Sequence, residues 1–175
     1  FNKEKNYNVS YIMVQLDEII NPDSKAYKDG FRTICDVGEE RIRRVLNNID
    51  KDSNTDYGYR VYKLDSSNMR DVYYEPSKFK QSQLNMFESN IKEDRNSDDL
   101  LTQVILDWGL TLDLSIKESN ILDNKVYFVE ENSLVACFDN QINIDILNQI
   151  CEIKPLKVVF RESSFKNDSD KINAY

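Results

Sequence analysis

The sequence contains no histidine, and this absence removes several kinds of active site. Serine-hydrolase and cysteine-hydrolase triads of the usual kind need an imidazole base and are excluded. The three cysteines, Cys35, Cys137 and Cys151, are widely spaced and form no CxxC motif, which disfavours a zinc site or a thiolate nucleophile. Each lies in an apolar context, so we expect buried, reduced thiols of a cytosolic protein.

Glycine and proline are also scarce, with four and three residues respectively. No two glycines are close enough to cradle a phosphate or to approach a cofactor backbone. The prolines are isolated, so no Pro-Pro motif exists. No window approaches the ~18 apolar residues that a membrane span needs, and the first residues do not form a signal peptide. We therefore expect a cytoplasmic protein that does not contact a membrane.

Negative charge is concentrated in the second half of the chain. Residues 1–90 hold 14 Lys and Arg against 15 Asp and Glu, a net charge of −1, whereas residues 91–175 hold 9 against 16, a net charge of −7. Because a phosphate backbone binds through clustered cations, we expect weak binding of nucleic acid by this chain. The cations of the first half cluster at Arg41, Arg43 and Arg44. They could contact DNA or flank a helix, paired with Glu39 and Glu40, and the second reading is the simpler.

The size and the two ends of the chain suggest an excised fragment. The 175 residues, 40% hydrophobic, suffice for one ordinary core or two small ones. The chain starts at Phe1 instead of Met, and Asp168 begins a helix that the sequence cuts short.

The first part of the chain has the pattern of half a nucleotide-type α/β unit. Residues 10–16 are a continuous run of strand formers, typical of a strand buried on both faces of a parallel sheet. A short helical turn follows Asn21-Pro22. Thr33 and Asp36 can cap a helix that continues to about Ile49, with Glu39–Arg43 and Glu40–Arg44 pairs on its polar side.

The middle of the chain predicts a strand and a bridge. Residues 57–64 alternate as a half-buried strand, and a tyrosine-rich stretch then leads into a helix over about 78–91. The charged run 92–99 is a plausible boundary or hinge.

From Ser97 onwards the pattern predicts a small mixed α/β domain of order α-β-β-β-α-β-α. Ser97 can cap a helix to about Trp108. Strands over 115–121 and 125–130 flank a turn at Asp123-Asn124, and a third strand covers 133–138. A helix over 143–152, a strand over 157–161 and a helix from Asp168 complete the order.

The end of the first strand is where cofactor chemistry is plausible. Ligands of open α/β sheets bind outside the carboxyl ends of the strands, where a polar side chain can hydrogen-bond a ribose. Gln15, Asp17 and Glu18 lie there, although simple polar termination of a strand explains them equally well. The acidic pairs Asp98-Asp99 and Glu130-Glu131 are better explained as exposed turns and helix starts than as catalytic groups.

Several motifs together resemble the modification subunits of type III restriction–modification systems, which are adenine-specific DNA methyltransferases that use S-adenosylmethionine. The resemblance lies in the runs YIMVQLDE…SKAYKDGFRTICDVGEERIRR (11–44), YRVYKLDSSNMRDVYY (59–74), DDLLTQVILDWGL (98–110) and LVACFDNQI…KVVFRESSFKNDS (134–169). They cover essentially the whole chain in the order of the family.

The resemblance implies that the chain comes from a larger protein, called the parent here. In this family an F-x-G-x-G loop binds the cofactor and a D-P-P-Y loop holds the flipped adenine. This sequence contains neither motif. By position, Gln15 matches a residue that is often acidic in related methyltransferases, so the resemblance implies a ribose ligand at Gln15, or at Asp17 instead. It also implies S-adenosylmethionine as cofactor of the parent, without tight binding by this chain, and three partners: the restriction subunit, a second modification subunit and DNA.

We therefore expect an α/β chain made of the tail of a Rossmann-like methyltransferase sheet (1–65), a connector (66–96) and a small mixed α/β C-terminal domain (97–175). The chain by itself would be inactive and would serve structure and subunit assembly. The alternative is an autonomous, non-catalytic protein-binding module of methyltransferase ancestry.

Overall fold

The computed structural model describes residues 7, 9–49, 57–70 and 90–174. Contacts within the chain group it into two compact units, Phe1–Lys63 and Leu64–Tyr175. The three predicted segments, 1–65, 66–96 and 97–175, remain a prediction, because grouping by contacts does not test where the parent's domains begin.

The first unit contains two helices, α1 (Lys25–Lys28) and α2 (Ile34–Asn48). The predicted capping of α2 is confirmed. The Thr33 hydroxyl accepts the N–H of Asp36 at 3.3 Å, and the Asp36 carboxylate accepts the N–H of Thr33 at 2.9 Å. This reciprocal pair of bonds satisfies donors that the first helical turn would otherwise leave open.

The predicted strand over 10–16 is wrong for the described structure. The segment has no assigned strand, and its apolar side chains face solvent: Ile12 is 87% exposed and Val14 is 93% exposed. A run of strand formers becomes a buried strand only where neighbouring strands and covering helices pack against it. The described residues supply no such neighbours to this segment.

The strand predicted over 57–64 is likewise not assigned, and Tyr59, Val61 and Leu64 are exposed. The helix predicted over about 78–91 lies mostly outside the described residues. At its end, Ile91 instead forms an isolated antiparallel bridge with Met69.

The charged run 92–99, predicted as a boundary or hinge, hydrogen-bonds to residues 65–70 within the second unit. The N–H of Lys92 donates to the Asn68 carbonyl at 2.9 Å. The guanidinium of Arg95 lies 3.2 Å from the Asp65 carboxylate, and its side chain is only 9% exposed. These contacts hold the approach to the next helix against residues 65–70.

The second unit has the predicted mixed α/β order. Its elements are α3 (Ser97–Asp107), β1 (Ile116–Ile121), β2 (Asn124–Val129), β3 (Leu134–Cys137), α4 (Asp145–Ile153), β4 (Val158–Phe160), a 3-10 turn (Glu162–Ser164) and α5 (Asp168–Ala174). The α/β fold class is therefore confirmed. Among the described residues, no helix is long and apolar enough to cross a membrane.

The four strands form one mixed sheet in the order β1-β2-β3-β4, with antiparallel pairing except between β3 and β4. Side chains alternate between its faces. One face carries Tyr127, Val129, Leu134 and Ala136 and packs with Leu101 and Ile105 of α3. The opposite face packs with α4 through a second cluster, which consists of Val126, Val135, Cys137, Ile142, Ile146 and Ile150. The core is thus two apolar layers, one on each face of the sheet.

The cap of α3 and the turn of the hairpin each lie one residue before the predicted position. Asn96, and not Ser97, caps α3, because its amide oxygen accepts the N–H groups of Asp98 and Asp99. The turn between β1 and β2 is Leu122-Asp123, both with positive φ, as a two-residue hairpin requires.

Candidate functional site

The polar end of the segment 10–20 lies beside the start of α2. The N–H of Ile34 donates to the Glu18 carbonyl at 3.0 Å, and the N–H of Ile20 donates to the Arg32 carbonyl at 2.9 Å. Ile19 and Thr33 form an antiparallel bridge between these two pairs. Main-chain hydrogen bonds therefore hold residues 18–20 beside the residues at the start of α2.

The structure brings Asp17, but not Gln15, towards α2. The side-chain amide of Gln15 donates to the carbonyl of its neighbour Leu16 at 3.1 Å, and Gln15 is exposed. Asp17 lies near Cys35 in the first turn of the helix. Desolvation by burial, and then the Asp17 carboxylate, raise the pKa of the Cys35 thiol, which keeps it protonated at neutral pH. A role of Gln15 or Asp17 in ribose binding stays a prediction.

The N-terminus of α2 is occupied by a carboxylate of the chain itself. Asp36 accepts the backbone N–H of Arg32 and that of Thr33, each at 2.9 Å. These two bonds, Arg32 first, hold the pKa of Asp36 below its usual value. A helix start whose N–H groups are bonded within the chain in this way offers fewer donors to the phosphate of a ligand.

The acidic pairs outside the first unit have structural contacts. Asp99 accepts the N–H of Asn96 at 2.9 Å, and Glu130 accepts the N–H and the hydroxyl of Ser115, both at 3.2 Å. These bonds lie within turns and helix starts of the chain, and the expectation that the pairs are not catalytic stays a prediction. Within the described ranges, no group of three acidic or cysteine side chains could hold a metal ion.

The arginine cluster on α2 is paired differently from the prediction. Glu40 receives both partners, with Arg43 at 2.6 Å and Arg44 at 2.6 Å, so the Glu40–Arg44 pair is confirmed, whereas Arg43 pairs with Glu40 and not with Glu39. Hydrogen bonds from Arg43 and then Arg44 lower the pKa of Glu40. Arg41 is exposed. The two paired arginines therefore fit the reading of a solvated helix flank.

Burial was predicted for all three cysteines and is correct for Cys137 alone. Cys151 is exposed because it follows Ile150, the inward position of α4, by about 100° around the helix. Cys35 is partly exposed at the start of α2.

No function was predicted for the residues around β4, yet this region carries the densest group of cations within the acidic residues 91–175. The side chain of Lys157 lies over the ring of Trp108, with Nζ 4.4 Å from its centroid. Arg161 donates from Nη1 to the Phe138 carbonyl at 3.5 Å. The available signal was the run from Ile153 to Arg161, IKPLKVVFR, which holds three cations and no acidic residue.

Comparison with known proteins finds a sequence similarity that extends over nearly the whole chain. The sequence is 28% identical, over 177 aligned residues, to the type III restriction-modification enzyme EcoP15I Mod subunit of Escherichia coli. The alignment covers 95% of this chain but 25% of that subunit, so the chain spans about a quarter of the length of this relative. No protein-family model matches the sequence. The similarity agrees with the resemblance inferred from the motifs.

Proposed function

We propose that this chain is the C-terminal part of a type III modification subunit, a DNA methyltransferase that transfers a methyl group to N6 of adenine. Within it, the chain serves structure and subunit assembly. The observation that carries the proposal is the similarity to the EcoP15I Mod subunit, which extends over 95% of the chain.

The burial pattern of the first unit supports the proposal. None of its described residues is buried, although residues 10–16 and the apolar side of α2 are rich in aliphatic side chains. Leaving this many apolar groups in water forgoes the main favourable term in folding. The unit is therefore suited to pack against further protein, and the missing part of a methyltransferase sheet is the partner that the sequence similarity favours.

Because the sequence contains neither the cofactor loop motif nor the adenine-binding motif, we infer that methyl transfer takes place in the rest of the parent. S-adenosylmethionine would bind there, with Gln15 or Asp17 contributing at most a ribose contact. The net charge of −7 over residues 91–175 favours protein contacts over DNA contacts for the second unit. The restriction subunit and a second modification subunit are the proposed partners.

The complete coding sequence and its product test the proposal. We expect an F-x-G-x-G motif within about 30 residues upstream of Phe1, the length of one βαβ step. The full-length product should methylate adenine with S-adenosylmethionine and co-purify with a restriction subunit encoded beside it. The 175-residue chain alone should bind no cofactor.

A stop codon or an unrelated domain upstream would refute the methyltransferase assignment and favour the autonomous binding module. The second unit, with its own two-layer core, is the observation that makes this alternative physically possible. If the full-length enzyme is active and a variant that lacks residues 64–175 assembles equally well, only the assembly role is refuted.

A further inference from the structure

The two edges of the sheet in the second unit differ in how they meet solvent. The β1 edge carries Lys117 and Glu118, both exposed, and charged side chains on an edge oppose pairing with another strand. The β4 edge carries Leu156 and Val158, which are 79% and 40% exposed. The β1 edge thus carries charges of both signs, whereas the β4 edge exposes apolar side chains to solvent.

The register of β4 directs unused main-chain groups towards solvent. Val135 of β3 donates its N–H to the Lys157 carbonyl at 2.9 Å, so the peptide groups of Lys157 face β3. Because these groups alternate in direction along a strand, those of Val158 and Phe160 point away from β3. Among the described residues, β4 has β3 as its single neighbour in the sheet.

Apolar side chains flank this edge on both faces of the sheet. Ile153, at the end of α4, is 39% exposed, and α4 packs on the sheet face that carries Val135, the register partner of Val158. On the opposite face Trp108 is 36% exposed, with Lys157 across its ring. An added strand would therefore find apolar contacts above and below the plane of its backbone, as well as main-chain hydrogen bonds.

The charge of the edge identifies the kind of strand that fits. Lys154, Lys157 and Arg161 lie along it with no acidic residue between Ile153 and Arg161, in a half-chain of net charge −7. In the part of the chain that the structure describes, the ion pairs do not include these three cations. A second copy of β4 would place like charges opposite one another, which disfavours self-pairing.

We propose that the β4 edge, residues 153–161, docks an extended segment of a partner protein in which apolar side chains alternate with Asp or Glu. The segment extends the sheet by one strand, and its carboxylates face the three cations. Docking at the β4 edge would locate the assembly role proposed above. The docking proposal rests on that role only for the identity of the partner.

The test is a titration of the full chain, isotopically labelled for NMR, with two short acetylated peptides. One alternates valine with glutamate and the other alternates valine with lysine. We expect saturable binding of the glutamate peptide, with the largest amide shifts at Val158 and Phe160. Reversing charge with Lys154→Glu and Lys157→Glu should weaken this binding about tenfold and favour the lysine peptide. Lys117→Glu with Lys166→Glu, an equal change of charge away from the edge, should leave it unchanged.

A second pair of variants separates edge pairing from general charge attraction. Val158→Pro removes an outward N–H without removing a hydrogen bond to β3, and it should abolish binding of the glutamate peptide. Val158→Thr keeps that N–H, and this variant should bind the glutamate peptide nearly as well as the unmodified chain does. Thermal unfolding of both variants checks that the sheet remains folded.

Equal binding of both peptides, shifts that map to β1, self-association through β4, or no saturable binding would each overturn the proposal. If a full-length Val158→Pro variant co-purifies with the restriction subunit at the level of the unmodified protein, docking at the β4 edge is refuted and the assembly role remains. If the restriction subunit does not co-purify with the unmodified full-length protein, the assembly role is refuted, whichever peptide binds.

Discussion

Single side chains determine where the helices of this protein begin, and Asn96 is the clearest case. Its amide oxygen accepts the N–H groups of Asp98 and Asp99 at 2.9 and 3.0 Å, and the Asp99 carboxylate returns a bond to the N–H of Asn96. The reciprocal bonds satisfy three donors at the start of α3, the helix that covers one face of the sheet. Asn96 therefore links a local capping motif to the core of the second unit.

Replacing this cap should measurably destabilise the second unit. Asn96→Ala leaves those helix donors to solvent, and we expect a loss of about 1 kcal/mol in the free energy of unfolding. Asn96→Ser preserves a capping oxygen and should lose at most a few tenths of that amount. Urea unfolding followed by circular dichroism measures both, and equal stability of the two variants would contradict the capping role.

The sequence predicts capping residues and alternation well, because both depend on near neighbours. The position of the cap at Asn96 instead of Ser97 was missed because both residue types can cap. Only Asn96 is followed three residues later by an acidic partner, Asp99, that returns the bond. The hairpin was predicted, but its turn was placed one residue late, since Asn124 resembles a turn residue and lies in β2.

Elements of the second unit are stabilised by burial of one side, and α4 shows this most simply. Ile146 and Ile150 lie one helical turn apart and are 0% and 2% exposed, against the face of the sheet that carries Val126 and Val135. Lys154 ends the helix in the left-handed region, with φ 54°, and Pro155 follows it. The helix is therefore followed, after residues 154–157, by β4, which has no strand on its outer side among the described residues.

Truncating the buried side of α4 should cost far more stability than truncating its exposed side. Ile146→Ala creates a cavity in the second apolar layer and should lower the free energy of unfolding by about 2–5 kcal/mol. Ile153→Ala, at a position of the same helix that is 39% exposed, should cost less than about 1 kcal/mol. Denaturant unfolding measures the free energy of unfolding of both variants. Comparable decreases in the two would show that α4 does not pack as described.

The predictions that failed concern elements whose partners are not near in sequence. Residues 10–16 have the composition of a buried strand, and local pattern alone cannot show whether neighbours exist to bury it. Their described side chains are exposed. The placement of Asp17 beside Cys35 was also beyond the sequence, since it depends on the chain turning back between residues 20 and 33. The β4 edge became visible only once the strand order of the sheet was known.

At the scale of the whole molecule, burial is distributed unequally between the two units. Every buried residue in the described ranges lies at or beyond Leu100, within the second unit. The described part of the first unit instead exposes an aliphatic run and one side of an amphipathic helix, with Val37 and Val45 at 38% and 51% exposure. The second unit has its own two-layer core, whereas the described part of the first unit leaves its apolar side chains exposed, which is why we propose that further protein packs against it.

Amide hydrogen exchange across Tyr11–Leu16 tests this account most directly, measured in the 175-residue chain and in the full-length product of its gene. The account predicts unprotected exchange in the chain alone and protection of about a hundredfold or more in the full-length protein, where the segment becomes a paired strand. Amides of β2 should be protected in both and serve as the internal control. Unprotected exchange of Tyr11–Leu16 in both proteins, or protection already in the chain alone, would contradict it.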